Sequence, residues 1–154
     1  MDKKSANNEI SINMQYIKDM SLEIPHAPQI FTKLATPPQI NIDLNIDTTK
    51  LNEEQYEVTL NLKINAKEEN EPLFIFELAY AAACTIKMPE EQREPILFIE
   101  IPRMLFPYAR QIISSNLSEA GLPPLMLTPV DFAAVYMAKK EQQAKTTEQK
   151  KAAS

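Results

Sequence analysis

From Ile40 to Asp47 the residues alternate without a fault: Ile40, Ile42, Leu44 and Ile46 are apolar, and Asn41, Asp43, Asn45 and Asp47 between them are polar. The stretch from Tyr56 to Ala66 repeats the pattern, with Tyr56, Val58, Leu60, Leu62 and Ile64 on one parity. A period of two over such lengths places apolar side chains on one face of a strand and polar ones on the other. Strands with one wet face belong to antiparallel sheets, so these two runs alone exclude an all-helical bundle and a buried parallel sheet.

Two further strands flank them. In the first, Met14, Tyr16, Met20, Leu22 and Ile24 share one parity, with Lys18 as the exception, while Gln15, Asp19, Ser21 and Glu23 share the other. The last, from Leu73 to Lys87, is apolar on both sides. Phe74, Phe76, Leu78 and Tyr80 alternate with Leu73, Ile75, Ala79 and Ala81, broken only by Glu77. Such a strand is covered twice or offers a contact patch. Pro37-Pro38, Asn52-Glu53-Glu54 and Glu68-Glu69-Asn70-Glu71-Pro72 mark the breaks, the last two short enough for hairpins.

After Met88 the period changes. Ile96–Ile101 is nearly all apolar and fits neither template cleanly. Pro102 suits a first helical turn. From it Leu105, Ala109, Ile112, Asn116 and Ala120 form a helical stripe, with Phe106, Ile113 and Leu117 beside it, a kink at Pro107 and a stop at Gly121. Thr128 and Pro129 then fit an N-cap and first position, with Asp131 in the first turn of a second helix. From Val130 to Ala138 only Asp131 is polar, so this helix calls for cover from a second subunit or a ligand. The fold class is α+β: a four-stranded antiparallel sheet with two C-terminal helices on one face. A disordered segment, 1–12, precedes the domain of 13–140, and a flexible charged tail, 141–154, follows it.

With 154 residues there is room for one domain. The net charge of −5 disfavours nucleic acid. No run approaches a membrane span, and Met1-Asp2-Lys3-Lys4-Ser5 leads into no secretory h-region, so a cytoplasmic protein is expected. The single glycine, Gly121, rules out Gly-rich phosphate loops, and the single histidine, His26, sits between prolines in a loop. Cys84, among alanines, reads as a buried, inert thiol. Asp19 and Glu23, or Asp43 and Asp47, lie four residues apart on a strand, about 13 Å, beyond the roughly 5–9.5 Å of glycosidase pairs. No catalytic constellation, metal site or cofactor site is expected, and the chain does not read as an enzyme.

What stands out is sign. The outward parity collects Asp19, Glu23, Asp43, Asp47, Glu57 and Glu77 against Lys63. A solvated face is the ordinary reading; a docking surface for a basic partner is the other, and Ile75 beside Glu77 favours it.

Three segments resemble one family: Leu105-Phe106-Pro107-Tyr108-Ala109-Arg110, Leu122-Pro123-Pro124-Leu125 and Pro129-Val130-Asp131-Phe132. With Lys18–Pro25 and Ala27-Pro28, they are similar to SecB, the tetrameric export chaperones, over about Met14 to Lys140. The resemblance implies a dimer of dimers that holds unfolded presecretory proteins without ATP and delivers them to the SecA motor. It implies SecA contact at Asp19, Glu23, Ile75 and Glu77, and tetramer support from Phe76, Leu78 and Tyr80. The apolar Gly121–Leu127 connection points to client contact at Leu122 and Leu125. Two departures stand against the likeness: Ala81-Ala82-Ala83 where the family often has glycines, and a lysine-rich tail where many relatives are acidic. The alternatives are a SecB-like chaperone dedicated to a toxin–antitoxin pair and a non-chaperone oligomeric adaptor.

Overall fold

The alternating runs form the sheet. The computed structural model describes residues 8–34 and 37–153. Its strands are β1 (Glu9–Glu23), β2 (Gln39–Lys50), β3 (Gln55–Glu68) and β4 (Glu71–Lys87). They pair antiparallel in the order β1-β4-β3-β2. The β3–β4 hairpin turns through Glu69 and Asn70 with φ of 49° and 67°. Two positive φ values match the twist of the strands, and the asparagine takes the place of the usual glycine. At the β2–β3 hairpin Asn52 Oδ1 accepts from the backbone N–H of Glu54 and of Gln55, at 3.1 and 2.9 Å.

The chain then runs helically through a π turn, Ile96–Glu100, into α1 (Ile101–Glu119). The wider turn falls between Pro95 and Pro102, which bring no backbone N–H to an ordinary α pattern. This accounts for the apolar run that fitted neither template. The α1 residues Leu105, Ala109, Ile113 and Leu117 are fully buried on the sheet. Ile112, Asn116 and Ala120 of the expected stripe are half-buried at its margin.

Gly121, at φ +79°, closes α1. The N–H of Leu122 donates to the Leu117 carbonyl at 3.0 Å and that of Gly121 to the Ser118 carbonyl at 3.1 Å. This pairing ends helices on an αL residue and turns the next apolar side chain back toward the helix.

α2 (Phe132–Ala152) begins later than expected. Asp131 rather than Thr128 is the N-cap, its Oδ1 accepting from the Ala134 N–H at 3.0 Å. Phe132 meets Phe106 edge-on at 6.0 Å, and Tyr136 stacks with Phe98 at 5.8 Å. These two buried aromatics, four residues apart, dock α2. Two expectations about the ends change. Of the segment expected to be disordered, 1–12, residues 1–7 lie outside the described residues and Glu9–Ile12 are strand. Of the expected tail, 141–152 continues α2 and is exposed; its Gln, Lys, Glu and Ala are good helix formers.

β1 corrects the face assignment. Its register on β4 shifts between Ile12 and Met14 and again between Ile17 and Asp19. Each shift inserts an extra residue, Asn13 or Lys18, and changes which parity faces out. Met14 and Tyr16 therefore lie opposite Ala83 and Ala81 on the outer face, while Met20 and Leu22 lie opposite Leu78 and Phe76 on the helix side. Gln15, expected to face out, turns to the helix side and accepts from the Tyr80 hydroxyl at 3.1 Å.

Candidate functional site

The outer face of the sheet is read from its cross-strand rows. Glu23 pairs with Ile75, which pairs with Asn65. One row on, Ser21, Glu77, Lys63 and Asp43 follow each other across the four strands; the next carries Asp19, Ala79, Asn61 and Asn45. Asp19, Glu23, Ile75 and Glu77, singled out from the sequence, thus come together on one face. Asp19, Glu23 and Glu77 are exposed and Ile75 is half-buried. The Lys63 ammonium lies 3.5 Å from Glu77 Oε1, and Asp47 accepts from Asn61 Nδ2 at 2.8 Å.

Glu57 belongs to the same face but is not an open charge. Its two carboxylate oxygens accept from the Tyr16 hydroxyl and, at 2.6 Å, from the Lys18 ammonium. The Lys18 bond, aided by Tyr16, holds the Glu57 carboxyl below its usual range. In return the hydrogen bond to Glu57 pushes the Tyr16 phenol up to about 12. The alternation that broke at Lys18 was the signal for this contact.

The opposite side of the sheet is apolar. Phe76, Leu78 and Tyr80, expected at a subunit interface, are at most 7% exposed within a single chain. They sit on the face that α1 covers; Tyr80 stacks with Tyr108 at 6.4 Å. What α1 leaves bare are the margins: Ile10, Ile17 and Met20 on β1, 39–46% exposed, and Ile40 and Ile42 on β2, 39% and 44% exposed. Beside β2 a groove of about 250 Å³ runs between sheet and helices, walled by Ile42, Leu44, Phe106, Leu127, Val130 and Val135.

Leu122, expected on an open client surface, is 4% exposed, because the turn at Gly121 folds it into the core; Leu125 is half-buried. Leu127 and Val130, not among the expected client contacts, line the groove instead. Nor is α2 buried all round: Ala134, Met137 and Ala138 are exposed. Burial pushes the Cys84 thiol up to about 11, as suits an inert packing residue. Among the described residues no three His, Cys, Asp or Glu converge on a metal-binding arrangement, and no helix is long and apolar enough to cross a membrane.

One family matches the chain over nearly its whole length. The family model for the preprotein translocase subunit SecB matches residues 3–143. The chain belongs to the SecB family. It is 46% identical over 132 residues to the protein-export protein SecB of Paramagnetospirillum magneticum, covering 85% of each chain. To that of Granulibacter bethesdensis it is 40% identical over 151 residues, covering 92% of this chain and 88% of the other. In three dimensions it superposes on a SecB-like chaperone of Mycobacterium tuberculosis, solved with a ChAD peptide from an antitoxin. The TM-score is 0.67 at 15% identity, covering 79% of this chain and 90% of that one, which shows the shared fold. With these relatives the chain is a protein-export chaperone of the SecB type.

Proposed function

We propose that this chain is an ATP-independent cytoplasmic holdase that keeps presecretory proteins unfolded and hands them to SecA, working as a homotetramer. The observation that carries this reading is the division of the surface by chemistry. Apolar margins and the β2 groove lie on the helix side, and carboxylates around Ile75 lie on the other. Unfolded chains expose apolar side chains, each worth about 1.5–3 kcal/mol when buried. Several such contacts along one chain add avidity without sequence specificity. The β1 margin supports assembly, since bare apolar residues on an edge strand suit a second copy.

Asp19, Glu23, Ile75 and Glu77 form the SecA contact in this reading. Exposed carboxylates steer a basic partner from solution, and the half-buried Ile75 gives the contact an apolar centre. No step here calls for catalysis, a cofactor or a metal. The test is a pair of binding measurements on one preparation: suppression of aggregation of unrelated denatured proteins, with and without ATP, and calorimetric titration with SecA. A holdase suppresses aggregation equally in both conditions and binds SecA in a salt-sensitive manner. An adaptor for one folded partner would fail the aggregation assay.

A further inference from the structure

The outward aim of Asp19 and Glu23 depends on a single inserted residue. Tyr16 faces out from β1 opposite Ala81. In an unbroken strand even-numbered residues would continue outward, so Asp19 and Glu23 would turn to the helix side and Met20 and Leu22 to solvent. The extra residue at Lys18 reverses the parity. Leu22, half-buried against the core opposite Phe76, fixes the far half of β1, and the Asn13 Nδ2 bond to Thr85 Oγ1, at 2.8 Å, fixes the near half. Something must still select where between them the insertion sits.

Glu57 is placed to do so. It lies on β3, one strand beyond β4, and is reached from β1 only because the β4 residues between them on this face are Ala81 and Ala83. One carboxylate takes Tyr16, before the insertion, and Lys18, the inserted residue itself. The Glu57 side chain is 16% exposed, so these bonds are partly sheltered from water and salt. A shift of the insertion by one residue would carry Lys18 off Glu57.

We infer that Glu57 is a positioning residue for the docking face: by holding Tyr16 and Lys18 it fixes the β1 bulge and so keeps Asp19 and Glu23 turned toward the motor. The inference rests on the docking reading of that face, and its test separates the two. The double variant Lys18→Ala/Glu57→Ala removes one charge of each sign, so net charge is unchanged. Amide exchange of Ile17–Glu23 should quicken by about tenfold or more, and SecA affinity should fall by about tenfold, the scale of one lost charge-assisted hydrogen bond. Aggregation suppression should hold. Glu57→Gln, which keeps an acceptor for Tyr16, should lie between the double variant and the unmodified chain and serves if the double variant folds poorly. Asp19→Lys, with the clamp intact, reports on the docking reading alone. Unchanged exchange in the clamp variants overturns the positioning role. So does faster exchange with unchanged affinity while Asp19→Lys weakens binding. If Asp19→Lys leaves affinity intact, the docking reading fails, and the clamp stands or falls on exchange.

Discussion

Lys63 lies between two carboxylates in one cross-strand row, opposite Asp43 on β2 and opposite Glu77 on β4, with its ammonium 3.5 Å from Glu77 Oε1. Both members of that ion pair are about half exposed. Such a pair contributes little to stability, about 0–1 kcal/mol. Glu77→Lys should therefore leave the fold and assembly intact while setting two ammonium groups side by side where a carboxylate stood. SecA affinity should fall steeply, and the loss should shrink at high salt because exposed charges are screened beyond about 10 Å at 0.1 M. Titration calorimetry at two ionic strengths checks it. Unchanged affinity would return these carboxylates to a merely solvated face.

Capture and folding separate along the apolar side. Leu122→Ala should cost about 2–4 kcal/mol in denaturant unfolding, because Leu122 is buried beside the end of α1. Ile42→Ser, at a position 44% exposed on the groove wall, should cost far less and weaken client binding instead. Equal client affinity in Ile42→Ser and the unmodified chain would take the β2 groove out of the capture surface.

Assembly should be broken at the β1 margin rather than under α1. Leu78 is 2% exposed within one chain, so a charge there is expected to unfold the subunit itself. Met20, 40% exposed on the helix side, can take a charge without that cost. Light scattering should give about four times 17.5 kDa for the unmodified chain and a smaller species for Met20→Asp. A tetramer that survives Met20→Asp would remove the β1 margin from the subunit contact.

The clamp on β1 has two pH edges. Glu57 has a lowered pKa in the folded chain, so its contribution is present above the usual carboxylate range and is lost as pH falls through the lowered value. Tyr16 has a raised one, about 12 against 10.0, so its contribution is full below 10 and is lost as pH rises through about 12. Amide protection of Tyr16–Glu23 should accordingly be flat from about pH 5 to 10 and drop on the acid side before the central strands do. In a spectrophotometric titration one tyrosine should ionise near 12, and Tyr16→Phe should remove it.

The sheet was legible because period two follows burial: β2 and β3 keep one register along their whole shared length, and the apolar parity of β3, with Ile46 and half-buried Leu44 of β2, is the covered one. β1 was misread because a bulge leaves both flanking stretches alternating; only Lys18, charged on an apparently apolar parity, betrayed it. The start of α2 had two chemically sound caps, Thr128 and Asp131, and backbone geometry rather than residue type decides between them. Phe76, Leu78 and Tyr80 were read as one apolar face, correctly, yet what covers such a face is a tertiary fact. Alternation shows that a side is hidden without naming the element that hides it.

The strand order β1-β4-β3-β2 has a consequence for synthesis. β3 and β4 can each pair with the preceding strand as they emerge, and β2 waits only for β3, but β1, made first, has its partner among the described residues in the last strand, ending at Lys87. At roughly 5–20 residues per second, β1 waits about 3–13 s after it leaves the ribosome before its ladder can close. During that interval an export chaperone is itself an unfolded chain, with Ile10, Ile12, Ile17 and Met20 on a strand without a neighbour. The charges carried mid-strand at Lys18 and Asp19 then act as gatekeepers against premature pairing with other nascent chains.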